Sequence, residues 1–208
     1  MMVKWFIGFD VVMGLICAFA AFAVSYYAGK AFRLTSERLL LFLNLSFALL
    51  GVGLLTDSLT TLYVYGQILL GGSAPGRTLL LVGNTIFSVS EIAAFSLLAY
   101  LYARQTAALG TLAAAPIRYL SKTYNPVAET VLIFLLGYIT LQALTNYGVK
   151  READSLLVFS GFCFILIGHC CLLLIFLSPF LYVAAYLSQL VGFLCFLAML
   201  LRLGRRGP

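Results

Sequence analysis

The sequence predicts an all-α, polytopic transmembrane helical bundle. Of the 208 residues, 63% are hydrophobic and 10% are charged, whereas soluble domains carry about 25% charged residues. A soluble fold of this size cannot hide so much apolar surface, because a large fraction of any small domain stays exposed. The mean hydropathy of +1.07 agrees with this conclusion. We therefore expect a single integral membrane domain over residues 1–208, with the lipid bilayer as its main partner.

Six stretches are long enough to cross a membrane, since a helix needs about 20 apolar residues to span the hydrocarbon core. The stretches are Trp5–Ala28, Leu39–Leu59, Leu79–Ala103, Val127–Tyr147, Ser155–Leu177 and Pro179–Leu201. Charged or polar residues separate most of them. The sequence therefore predicts six transmembrane helices.

Seven crossings are the alternative, because two shorter apolar stretches occur at Leu62–Leu70 and Ala107–Ile117. Each is too short to span as a helix, so we expect interfacial or partly inserted helices there. With six crossings, the 13 Lys and Arg residues divide seven against six between the two sides, which gives no orientation. With a seventh crossing they divide nine against four. Under six crossings, the basic tail Arg202–Arg206 favours both termini inside.

The two halves of the chain resemble each other. A shift of 117 residues aligns Leu39–Leu55 with Leu156–Leu172, and a shift of 98 residues sets Glu91 opposite Gln189. We expect a first three-helix repeat at residues 5–104, a connecting segment at 105–126 and a second repeat at 127–202. Three crossings in each unit predict a 3+3 inverted repeat, with its axis in the membrane plane. Transporters with such repeats hold their substrates at the interface between the halves.

Glu91 is the main candidate for a proton- or ligand-binding group. It lies near the centre of the third stretch, where an ionisable side chain costs about 2.5–3.5 kcal/mol on insertion scales and is expected to face protein. Asn84 and Ser88 precede it by seven and three residues, so the three side chains share one helix face. In the alternative interpretation, Glu91 is a neutral carboxyl that hydrogen-bonds between helices.

Gln189, Tyr186 and His169 are the other candidates. Gln189 holds the repeat-equivalent position of Glu91, with Tyr186 three residues before it, and we expect these stripes to face each other. The apolar helical neighbours of His169 favour an interhelical contact over ligand binding, although a pair with Glu91 reverses that preference. Asp57 and Glu129 are interpreted as markers of helix ends.

Several kinds of chemistry are not expected. Neighbouring helical residues point about 100° apart, so the run His169-Cys170-Cys171 does not predict a metal site. We expect no cofactor, because one histidine excludes bis-histidine haem ligation and no lysine lies in an apolar stretch to form a retinal Schiff base. No catalytic motif is present, which argues against an enzyme. The net charge of +6 is attributed to loops against anionic lipid and not to nucleic acid.

Three functions remain. The first is a small-solute or proton-linked transporter with a midplane site at Glu91. The second is a non-catalytic subunit of a larger membrane complex, with copies of itself or other membrane subunits as partners. The third is a membrane-embedded ligand-sensing module. The segment Tyr26–Thr35, together with residues 38–53, resembles the first hairpin of multi-helix sensor modules of prokaryotes. This likeness implies a prokaryotic plasma membrane without identifying a family.

Overall fold

The computed structural model describes residues 3–69, 76–105, 126–178 and 180–205, which form six α-helices without a strand. The helices are α1 (Val3–Thr35), α2 (Arg38–Leu69), α3 (Gly76–Gln105), α4 (Pro126–Lys150), α5 (Ala153–Leu173) and α6 (Phe180–Arg205). All six are long and apolar enough to cross a membrane. For the described residues, this confirms the predicted all-helical fold with six long apolar helices, and it indicates a multi-pass membrane protein.

One helix boundary differs from the prediction. The apolar stretch that begins at Leu62 is not a separate interfacial helix, because α2 continues without a break to Leu69. This part of the chain holds no proline, and its single glycine, Gly66, is tolerated within a helix. The other short stretch, Ala107–Ile117, lies outside the described residues.

The helices form a closed ring in chain order. Each packs against its neighbours along the chain, and α6 packs against α1. Small residues allow close approach between α1 and α2, where Gly14 faces Ser58 and Gly29 faces Asn44. Such small-residue contacts are typical of helix pairs in membranes, because they bring the backbones close together.

Asn44 links α2 to α1 by a reciprocal set of hydrogen bonds. Its Nδ2 donates to the Ser25 carbonyl oxygen at 2.7 Å and to Ser25 Oγ at 3.1 Å, while Ser25 Oγ donates to the Asn44 carbonyl oxygen at 3.0 Å. We expect Asn44→Ala to lower the free energy of unfolding by about 0.6–1.7 kcal/mol, the range for such bonds in membrane helices. Unfolding in mixed detergent micelles measures this change. The exposed Asn146→Ala serves as the control, and equal losses in the two variants contradict the expectation.

Contacts at the ends of the helices define the direction in which each runs. The connections Ser36–Glu37 and Arg151–Glu152 lie at one end of the bundle, here called the basic end. Tyr102, near the end of α3, lines one groove of about 520 Å³ with Glu37 and with Lys150, which ends α4. The end of α6 lies there too, since Arg202 Nε is 3.4 Å from Asp154 Oδ1 at the start of α5.

The opposite end, here called the N-terminal end, holds the starts of α1 and α6. Tyr186 Oη, in the second turn of α6, donates a hydrogen bond to Asp10 Oδ1 at 2.6 Å. The ring of Phe9 packs edge-on against the same tyrosine ring, with centroids 6.3 Å apart. Thus α1, α3, α4 and α6 run from the N-terminal end to the basic end, and α2 and α5 run back.

This arrangement corrects the predicted inversion of the two halves. Because α3 and α4 both end in the groove that Tyr102 and Lys150 line, they run parallel, and each half has its outer helices running towards the basic end. An inverted repeat requires opposite directions in the two halves. The prediction was wrong because it made consecutive helices alternate throughout. Gln105, which ends α3, and Pro126, which begins α4, lie at opposite ends of the bundle.

The two connections at the basic end have the same geometry. Ser36 has φ 56° and Arg151 has φ 50°, so each holds a left-handed conformation that ends a helix. The Ser36 amide donates to the Phe32 carbonyl at 2.8 Å, and the Arg151 amide donates to the Tyr147 carbonyl at 2.7 Å. A glutamate follows in both cases. The α1–α2 and α4–α5 hairpins are therefore joined by equivalent turns at the same end.

Aromatic rings fill the bundle interior in the half towards the basic end. Phe47 of α2 packs edge-on against Phe196 of α6 at a centroid distance of 5.1 Å, and Phe162 of α5 packs against Phe196 at 4.7 Å. The three rings are at most 1% exposed. This packed layer separates the polar residues described next from the basic end.

Candidate functional site

His169 lies between two carboxyl groups in the bundle interior. Its Nδ1 is 2.8 Å from Glu129 Oε2, a hydrogen-bond distance, and its Nε2 is 3.3 Å from Glu91 Oε1, an ion-pair distance. The His169 side chain is 1% exposed, Glu91 7% and Glu129 15%. The three residues are here called the carboxyl–histidine cluster.

Three helices supply the cluster. Glu91 lies near the middle of α3, Glu129 in the first turn of α4, and His169 one turn before the end of α5. The ring of Phe95, one turn beyond Glu91, packs edge-on against the imidazole at 6.3 Å and covers it on the side towards the basic end. Glu91 belongs to the first half of the chain and the other two belong to the second, so the cluster joins the halves.

The cluster needs protons in order to hold together. Each contact between a carboxyl oxygen and a ring nitrogen is attractive when one proton lies between them, so two contacts need two protons. An imidazolium between two carboxylates meets this condition, and so does a neutral imidazole with one protonated carboxyl. Both forms carry a net charge of −1. Removing a proton leaves two acceptors facing each other, and this state is costly in a buried site.

The structure brings Glu91 and His169 together and adds Gln189 beside them. Gln189 is 7% exposed, and its Cγ lies 2.8 Å from the position that a Cβ on Gly168 takes. It therefore packs against the residue that precedes His169. Within the described residues, no hydrogen bond joins Glu91 to Gln189. The side chain that contacts Glu91 is His169, and the expected approach of the Glu91 and Gln189 stripes stays a prediction.

Asn84 and Ser88 stay apart from the cluster. Both side chains are half-buried on α3, towards the N-terminal end from Glu91. In the described part of the chain, no hydrogen bond joins either of them to Glu91 or His169. Their role in the polar stripe of α3 remains a prediction.

Tyr186 belongs to a second polar group near the N-terminal end. It donates to Asp10, and the Tyr182 hydroxyl lies 3.5 Å from the Tyr186 hydroxyl. Asp10, Asp57 and Tyr186 line a cavity of about 10 Å³, which is room for about one water molecule. Ser58 and Thr61 add hydroxyl groups to its wall.

Sequence reasoning missed Glu129 and Asp57 as members of polar clusters. An acidic residue in the first turn of a helix usually complements the helix dipole, so Glu129 gave no signal of its pairing with His169. Asp57 was placed at a helix end because the apolar stretch ended at Leu59, whereas α2 continues to Leu69 and leaves Asp57 within the bundle. The apolar residues that follow Asp57 were the only sequence signal that it lies within the bundle and not at a helix end.

The cluster does not form a metal site. The two ring nitrogens of His169 point in opposite directions, so both carboxyl groups and the imidazole cannot ligate one ion. In residues 3–69, 76–105, 126–178 and 180–205, no group of three His, Cys, Asp or Glu residues is arranged to hold a metal.

Comparison with known proteins gives no relative: no family profile, no curated protein and no solved structure matches the chain significantly.

Proposed function

We propose that this protein is a proton-linked transporter of a small solute in a prokaryotic plasma membrane, with the carboxyl–histidine cluster as its proton-binding group. One observation carries the proposal: a buried histidine contacts a carboxyl from each half of the chain. Ionisable groups within membrane-spanning helices are costly and most often belong to proton or substrate pathways. The proposal assigns no catalytic reaction to the chain.

Proton binding at the cluster changes the force between α3 and the α4–α5 hairpin. With two protons, both contacts of His169 are attractive and hold Glu91 against it. With one proton, one contact loses its hydrogen and α3 is free to separate from α5. A ligand shifts a conformational equilibrium only by its different affinity for the two states. The proton meets this requirement, because the state in which Glu91 lies against His169 binds it more tightly than the state in which the two are apart.

The polar residues extend from the cluster towards the N-terminal end. Asp10, Asp57 and Tyr186 surround the small cavity there, whereas the rings of Phe47, Phe162 and Phe196 close the opposite half. The proposal therefore assigns this structure to a state closed towards the basic end, with proton entry from the N-terminal end.

The proposal replaces the predicted inverted repeat with a parallel repeat, whose axis lies along the membrane normal. In each half the first and third helices run towards the basic end and the second helix runs back. A half-turn about the membrane normal therefore places α1, α2 and α3 on α4, α5 and α6 without changing the order of the ring. Parallel repeats of this kind occur in transporters. The matching turns at Ser36 and Arg151 support the relation. The halves differ at Glu91, whose counterpart is Gln189, so only one of the two equivalent positions carries a carboxyl.

Proteoliposomes that contain a pH-sensitive dye test the proposal. A potassium diffusion potential drives protons inward, with and without a panel of small polar solutes outside. We expect a solute-dependent proton uptake in the unsubstituted protein, and we expect Glu91→Gln and Glu129→Gln to reduce it to the rate of protein-free liposomes. These substitutions keep the side-chain shape and remove the exchangeable proton.

Glu152→Gln is the matched control, because this exposed glutamate at the start of α5 makes no side-chain capping bond. It should leave uptake unchanged. Solute-dependent uptake that persists in both cluster variants would remove the cluster from the mechanism. Uptake equal to that of empty liposomes for every solute would count against transport itself.

A second candidate, a non-catalytic subunit of a membrane complex, is supported by the filled core. The rings of Phe47, Phe162 and Phe196 pack against one another in the interior, and the cavity at Asp10 holds only about 10 Å³. In this reading the cluster only fixes the helices to one another. Purification in mild detergent discriminates the two, since a subunit co-purifies with a defined membrane partner at fixed stoichiometry and a transporter is active alone.

A further inference from the structure

Basic residues gather at one end of the bundle. Among the described residues, eight Lys or Arg positions lie at the basic end, on the last turns of α1, α3, α4 and α6, at the start of α2 and in the α4–α5 connection: Lys30, Arg33, Arg38, Arg104, Lys150, Arg151, Arg202 and Arg205. Two lie at the N-terminal end, Lys4 and Arg77. Three acidic residues, Glu37, Glu152 and Asp154, share the basic end, so its excess charge stays positive.

We propose that the basic end lies against the anionic cytoplasmic leaflet, with the N-terminus outside and the C-terminus inside. Lys and Arg residues close to the ends of membrane helices favour the cytoplasmic side, and anionic lipid headgroups attract them there. The exposed side chains of Lys30, Arg33 and Lys150 are free to reach the headgroups.

The inference depends on helix direction. An alternating six-helix plan puts the α1–α2 and α4–α5 connections on opposite sides, and it divides the basic residues almost equally. In the structure both connections lie at the basic end, because Glu37 and Lys150 line one groove. The start of α1 and the end of α6 lie at opposite ends, since Asp10 contacts Tyr186 and Arg202 contacts Asp154. On this proposal the start of α1 and the end of α6 are therefore on opposite sides of the membrane.

Three single cysteine substitutions in the full chain test this orientation. Glu37→Cys and Glu152→Cys mark the two connections at the basic end, and Leu177→Cys marks the α5–α6 turn at the N-terminal end, where Leu177 is 67% exposed. Each protein is expressed in bacterial inner membrane and treated in intact spheroplasts with a membrane-impermeant maleimide. The unsubstituted chain, with its five native cysteines, gives the background.

We expect Leu177→Cys to label in intact spheroplasts, and Glu37→Cys and Glu152→Cys to label above background only after permeabilisation. Labelling of both connections from outside, with Leu177→Cys protected, would overturn the orientation while keeping the helix directions. Different behaviour of the two connections would overturn the parallel arrangement of α3 and α4. A green fluorescent protein fused to the C-terminus gives a second readout and should fluoresce, because it folds on the cytoplasmic side.

Discussion

Replacing His169 with leucine is expected to lower the free energy of unfolding by about 3–5 kcal/mol, the cost of removing one partner from a buried ion pair. The substitution puts an apolar side chain between Glu91 and Glu129 and leaves both carboxyl groups without the imidazole as a partner. The structure offers Glu91 little water in exchange, because its side chain is 7% exposed. Unfolding in mixed detergent micelles, followed by circular dichroism, measures the loss.

A rescue experiment separates the electrostatic cost from the loss of packing around the ring. Adding Glu91→Gln and Glu129→Gln to His169→Leu removes the unpaired acids without adding bulk. We expect the triple variant to recover part of the lost stability, since a broken buried pair costs more than a site that carries no charge. A triple variant less stable than His169→Leu alone contradicts this account and makes the imidazole a packing residue.

The number of long helices followed from the sequence, but their directions did not. Hydropathy measures the length of an apolar run and contains no information about which way a helix runs. Consecutive spans alternate only if nothing between them passes from one side to the other. The stretch Ala107–Ile117 was too short to count as a helical span, so α4 was given the wrong direction. The groove that Tyr102 and Lys150 both line supplies the missing information.

The candidate site was predicted in part, for a similar reason. Glu91 stood out because depth in the bilayer can be read from position in an apolar run, and His169 because it is the sole histidine. Their partnership depends on which side chains meet across the interior of the ring, since α3 and α5 are not adjacent in it. The repeat alignment set Gln189 opposite Glu91, whereas His169 of α5 is the side chain that contacts it. Glu129 carried no signal, because a first-turn acid is common in helices of every kind.

Gly192→Ala is expected to cost about 1–3 kcal/mol, the usual range for forcing an extra carbon into a packed interior. A Cβ at this position comes within 2.8 Å of the Gly161 carbonyl oxygen and within 2.7 Å of Ile165 Cγ1. Ile165 is 1% exposed and the carbonyl belongs to the backbone of α5, so α5 and α6 must move apart to admit the methyl group. That movement also disturbs Gln189, one turn away, where it packs beside His169.

Gly137→Ala is the matched control for this effect, since no atom lies within 4 Å of a Cβ built at Gly137 on α4. Alanine there should leave stability unchanged or raise it by up to about 1 kcal/mol, because it favours the helix over glycine. The two substitutions add the same methyl group to a helical glycine, so their difference isolates the contact between α5 and α6. Equal denaturant midpoints for the two variants would contradict the prediction, because they would show that α5 and α6 are less tightly packed at Gly192 than its neighbours indicate. The position of His169 would then not depend on that packing.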